Sequence, residues 1–96
     1  VEYSVGLIIS ILTYYNEFYN RSFLIKYPDM VILKADIDMA LEKLSKEQRE
    51  AILRYFCKDL NDREIGEKLE IPTRTVCSRR SSGIDKLYEI LNGKEV

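Results

Sequence analysis

The sequence predicts an all-α domain, a compact bundle of about five helices. Gly and Pro are scarce, at four and two of 96 residues, and no run alternates apolar with polar residues for long enough to make a strand. An apolar fraction of 46% beside 32% charged residues is the composition of a folded chain, not a disordered one. At 96 residues the chain can bury one core and not two.

Each helix has its own signal. From about Ser4 to Asn20 the chain is apolar on most sides, with Val5, Leu7, Ile8, Ile9, Ile11, Leu12, Tyr14, Tyr15, Phe18 and Tyr19; the β-branched residues leave a strand open, but the length favours a helix. Pro28-Asp29 stops and restarts the chain, and Asp29 is expected to cap a helix to about Leu44 with Met30, Leu33, Ile37, Leu41 and Leu44 inward. Ser45 with Gln48 reads as a capping box opening a helix to about Cys57, with Ala51, Ile52, Tyr55 and Phe56 inward. Asn61 with Glu64 repeats the device for a short helix ending near Leu69, which Glu70-Ile71-Pro72 interrupts. A last helix runs from about Thr73 to Leu91 on the stripe Val76, Ile84, Leu87, Tyr88 and Leu91, and Asn92-Gly93 ends it.

Composition also narrows function. Fifteen basic and 16 acidic residues give a net charge of −1, and there is no His, so the commonest general base and metal ligand is missing. Cys57 and Cys77 form no CxxC pair and read as reduced thiols of a cytoplasmic protein. Asp36, Asp38 and Glu42 read as a solvated helix face, with Lys43 and Lys46 offsetting the Asp38–Glu42 repulsion. No enzyme activity, catalytic residue, metal or cofactor is expected, and no apolar stretch approaches the roughly 20 residues that span a bilayer. Charge is uneven: residues 36–70 carry seven basic and ten acidic side chains, whereas Ile71 to Ile84 holds Arg74, Arg79 and Arg80 with no carboxylate.

A short helix, a tight turn and a longer helix beginning with that basic stretch form a helix-turn-helix pattern. Gly66 falls where the two helices approach, with Ile65, Leu69, Ile71 and Val76 filling the space between them. The exposed face is then Thr73, Arg74, Cys77, Ser78 and Ser81 with nearby arginines, residue types that reach base edges and phosphates in a major groove. From spacing and charge alone, a solvated face is as good a reading as a DNA-binding one.

From Leu44 to Leu87 the chain resembles region 4 of sigma-70-type sigma factors. The resemblance rests on Leu44, Gln48-Arg49-Glu50, the tyrosine-bearing helix, Leu60, Glu64-Ile65-Gly66 where the family has Glu-Ile-Ala, Thr75-Val76, Ser78-Arg79, Ile84 and Lys86-Leu87. LuxR-type regulators end in a similar domain, but the Gln-Arg-Glu spacing and the longer tyrosine-bearing helix favour the sigma form. The resemblance implies a domain that reads the promoter −35 element in double-stranded DNA and touches the β flap of RNA polymerase. It implies base contacts from Thr73, Arg74, Cys77 and Ser78 and a phosphate contact from Arg79; the DNA-binding set expected here is Thr73, Arg74, Thr75, Cys77, Ser78, Arg79, Arg80 and Ser81. Three departures stand out: Arg80 replaces an apolar residue and is expected to extend the phosphate face, Pro72 replaces a Ser-type cap, and Glu70 replaces a turn glycine.

Residues 36–96 are thus read as the sigma region 4-like domain and residues 1–35 as an apolar helical segment for packing or dimerisation. Tyr14, Tyr15, Phe18, Tyr19, Phe23 and Tyr27 supply more aromatic area than one small domain needs, which favours a homodimer through the N-terminal helix. Nothing before Met39 resembles sigma region 2, so the expected protein is a stand-alone region 4-like transcription regulator, bacterial or phage-encoded, or a fragment of something longer. The rival readings are a module docking on polymerase without reading DNA, and a phage DNA-packaging or recombination accessory protein.

Overall fold

The computed structural model describes residues 2–93, and of Tyr19 only the backbone. Residues 94–96, the tail of the expected 36–96 domain, lie outside it. The described residues form six α-helices: α1 (Val5–Thr13), α2 (Arg21–Lys26), α3 (Met30–Glu42), α4 (Lys46–Phe56), α5 (Asp62–Leu69) and α6 (Thr73–Leu91). A 3-10 helix (Tyr15–Tyr19) joins α1 to α2. None of these helices is long and apolar enough to cross a membrane.

The single N-terminal helix expected to Asn20 is corrected to two shorter pieces, and α2 is an addition. Thr13 donates its hydroxyl to the Ile9 carbonyl at 2.7 Å, a local bond that competes with the helix ladder. Beyond it, the three-residue repeat of a 3-10 helix sets Tyr15 and Phe18 on one face, and both are buried. Asn20 then restarts the chain by accepting from the Ser22 and Phe23 amides at 2.9 and 3.4 Å. Asp29, expected to cap α3, makes no side-chain cap bond because its backbone is already helical, at φ −67° and ψ −20°. That geometry keeps its carboxylate from reaching the next turn.

The apolar surplus of the N-terminal segment is only partly used within the chain, and Tyr14, Ile25 and Tyr27 stay exposed. Ser4 caps α1 through the Leu7 amide at 3.0 Å, and α1 lays Ile8, Ile11 and Leu12, all fully buried, against α3 and α6. Tyr15, Phe18, Phe23 and Tyr27 form a chain of ring contacts at 5.9, 5.7 and 5.1 Å. Ile37, Ala40, Leu41 and Leu44 meet them from α3 and the turn that follows it, as do Ile52 from α4 and Ile84 and Leu87 from α6. Two of the acids of α3 have identified partners. Asp38 pairs with Lys34 at 2.6 Å, while burial first and then the Glu42 charge raise its pKa, as the expected Asp38–Glu42 repulsion requires.

Asp36 accepts the Tyr3 hydroxyl at 2.6 Å, and Tyr3 and Asn92 exchange backbone–side-chain bonds at 2.8 and 2.7 Å. This clamp ties the start of the chain to α3 and to the end of α6. Burial first, then the Asp36 hydrogen bond and charge, push the Tyr3 phenol up to about 12. A phenol raised in the folded state stabilises fully below its unfolded pKa of about 10, and the contribution fades as pH rises toward 12. Tyr3→Phe is therefore expected to lower stability at neutral pH by about 1.5–3 kcal/mol, the worth of a hydrogen bond to a charged group. In urea unfolding, the gap between the two proteins should narrow between about pH 10 and 12.

Candidate nucleic-acid interface

The candidate interface is built from α5, a three-residue turn and α6. Both predicted capping boxes are present. Ser45 accepts from the Gln48 amide at 3.1 Å and Gln48 returns the bond at 3.2 Å; Asn61 and Glu64 do the same at 2.8 and 3.1 Å. Pro72 leads into α6 without a side-chain cap, its carbonyl accepting from the Thr75 and Val76 amides at 3.0 and 3.2 Å.

The turn is set by close backbone contact. A Cβ on Gly66 would stand 2.7 Å from the Ile71 carbonyl oxygen, while the Ile71 amide donates to the Gly66 carbonyl at 3.0 Å. The expected packing role of Gly66 thus falls on the turn backbone as α6 begins. Ile65 and Val76 are fully buried behind it, and Leu69 and Ile71 are half-buried. Glu70 ends α5 in the left-handed region, at φ 59° and ψ 44°. It takes the glycine-like conformation that its replacement of a turn glycine demands.

On α6, Thr73, Arg74, Cys77, Ser78 and Ser81 are all exposed, and their spacing places them on one face of the helix. Thr75 and Arg79 are half-buried and, at about 100° per residue, fall outside that face, Arg79 nearly opposite its centre; the Arg79 carbonyl accepts the Ser82 hydroxyl at 3.2 Å. Arg80 is placed differently. Its guanidinium forks onto Asp62 at 3.0 and 2.7 Å and lies 4.1 Å from the centre of the Tyr55 ring. The side chains of Arg80 and Asp62 are 22% and 18% exposed. The Asp62 hydrogen bond is the main cause holding the Arg80 guanidinium above its ordinary pKa. Arg80 therefore ties α6 to α5 and to α4 through a bidentate pair and a cation–π contact.

Asp62 and Tyr55 were not legible as partners of Arg80, since contacts across 18 and 25 residues obey no helical period. Gly83 was also missed. A Cβ there would stand 2.6 Å from the Ile52 Cδ1 atom, so α4 and α6 cross at close range, with Gln48 donating to Ser82 at 3.2 Å beside them. Cys57 is half-buried, and burial raises its thiol pKa, with Lys58 opposing.

Two measurements follow from this geometry. A non-glycine residue in the left-handed region costs about 1–2 kcal/mol, partly offset by the greater freedom of glycine when unfolded. Glu70→Gly should raise stability by up to about 1 kcal/mol, read as a thermal midpoint higher by up to about 8 °C. Asp62→Ala and Arg80→Ala should each destabilise by about 1.5–3 kcal/mol. The double variant should lose clearly less than the sum, because each single change already breaks the same pair.

The family model described as Sigma-70, region 4 matches residues 40–89, just over half of the chain. No curated protein and no solved structure matches. The matched segment begins in the last turn of α3 and takes in α4, both capping boxes, the Gly66 turn and nearly all of α6. Domains of this family bind DNA in transcription and are not a class of enzymes. With the helix-turn-helix in place and its sequence matched over 40–89, the chain belongs to the sigma-70 region 4 family.

Proposed function

We propose that this protein is a sequence-specific transcription regulator that reads double-stranded DNA through α6 and acts at promoters with RNA polymerase, contacting its β flap. The observation that carries the reading is the exposed stripe of Thr73, Arg74, Cys77, Ser78 and Ser81 on a helix whose other face is anchored by Val76, Ile84 and Leu87. A rigid helix presenting hydroxyls and an arginine suits direct readout in the major groove. Arg74, exposed in the first turn, is the base reader, and Arg79, half-buried outside the stripe, serves phosphate. Arg80 supports the helix from behind through Asp62 and Tyr55. Residues 36–96 do the reading, and residues 1–35 brace that domain and take part in pairing two copies. The setting is the bacterial cytoplasm, with the protein encoded by a host or a phage.

The excess of acids over residues 36–70 supports a second reading, a module that docks on polymerase without reading sequence. Salt separates the two: DNA binding through phosphates weakens steeply as salt rises, and an apolar protein contact does not. In a selection from randomised duplexes at moderate salt, the wild type should enrich a motif. Arg74→Ala should cost about 1–3 kcal/mol on that motif and relax its preference, whereas Arg79→Ala should weaken all duplexes alike and reduce the salt slope by about one. Absence of enrichment together with capture of purified RNA polymerase would replace the DNA-reading function by the docking one.

A further inference from the structure

The helix α3 is apolar on two opposite faces. Its inner face carries Leu33, Ile37, Ala40 and Leu41 into the core. Its outer face carries Val31, Ile32 and Met39, which are 50%, 67% and 60% exposed, with exposed Ala35 between them. These four lie within about 100° of arc on the side away from the core, over about 12 Å of helix. A helix that packs on one side ordinarily presents a polar face to water. This one presents a second apolar seam, with the small Ala35 at its middle.

We propose that the outer face of α3 is the surface through which two copies of this chain pair, antiparallel, about a two-fold axis beside Ala35. The proposal rests on the homodimer reading given above and names the seam. Three features make the face complementary to itself. Ala35 at the axis lets the helices approach closely, and the symmetry then sets Val31 and Ile32 of one copy beside Met39 of the other. The charges at the ends match: exposed Asp29 precedes α3 and exposed Lys43 follows it, so an antiparallel pair brings each Lys43 to the end where the other copy's Asp29 stands. Glu42, at the end of the apolar stripe, comes to the N-terminal end of the opposite helix, where free amides favour a carboxylate. Asp36, the charge nearest its own counterpart, lies to the side and accepts the Tyr3 hydroxyl, and Asp38 is paired with Lys34 on its own helix. By contrast, α1 has its main apolar stripe of Ile8, Ile11 and Leu12 buried within the same chain. One short helix per copy makes a small interface, so the dimer is a weak, concentration-dependent one.

Sedimentation equilibrium of the full chain, across a wide concentration range, tests the seam. The wild type should show a monomer–dimer equilibrium. Ile32→Glu and Met39→Glu should each raise its dissociation constant by at least about tenfold with unchanged thermal midpoints, since both side chains are mostly exposed. Lys43→Asp should weaken the dimer, and Lys43→Asp with Asp29→Lys should restore it. A dimer unaffected by these changes but lost in Ile9→Glu would move the pairing to α1, overturning the α3 seam while keeping the homodimer. A wild type that stays monomeric overturns both. Unchanged self-association with loss of purified polymerase binding in Ile32→Glu would assign the face to polymerase and overturn the proposal. Binding to a duplex carrying one half-site is indifferent to all of these variants, so the DNA-reading function stands or falls separately.

Discussion

Because α1, α3, α4 and α5 all pack on α6, its exposed face can be no better placed than the contacts that hold the helix to them, and two of these are close approaches at glycines. At Gly66 the turn backbone comes to where a Cβ would sit, and at Gly83 the Ile52 side chain does. Close packing of this kind leaves no slack to take up. The 19-residue helix divides its work between its sides: Val76, Gly83, Ile84 and Leu87 are buried along one, and Thr73, Arg74, Cys77, Ser78 and Ser81 are exposed on the other. A helix about 28 Å long can do both because burial of one side holds the whole rod in place.

Electrostatics then divide three arginines that look equivalent in the sequence. Arg74 faces solvent, Arg79 is half-buried outside the exposed stripe, and Arg80 is turned inward onto Asp62 and Tyr55. The division follows from helix geometry. Arg80 is four residues beyond Val76, so it lies over the same inward side, where a charge must find a partner to remain in place. Asp62, at the first position of α5, supplies one in bidentate geometry. An acid in a domain that approaches DNA is thereby neutralised within the protein, which lessens the repulsion expected from the acidic stretch of residues 36–70.

Much of the fold was legible because its signals are local. The boxes at Ser45–Gln48 and Asn61–Glu64, the break at Pro72, and the inward stripe of Val76, Ile84 and Leu87 each depend on residues within a turn or two of one another. The N-terminal segment was less legible for the same reason. There the apolar residues crowd several faces, so periodicity could not say where one helix ends, and the Thr13 back-bond, the Asn20 cap and the burial of Tyr15 with Phe18 made the division. Asp29 had the identity of a cap but not the backbone angles of one.

What the sequence determined by itself is the helical class, the two capping boxes, the position of the turn and the face of α6 that carries Thr73, Arg74, Cys77, Ser78 and Ser81. These follow from hydrogen bonds and periodicities spanning only a few residues. Tertiary structure alone decided that Tyr3 and Asn92 close the chain on itself and that Gly83 marks the crossing of α4 and α6. It also decided that Arg80 belongs to Asp62 and that α1 folds back onto α3 and α6. Each joins residues 18 to 89 positions apart, or elements that far separated, and such contacts depend on where packing places the helices in space.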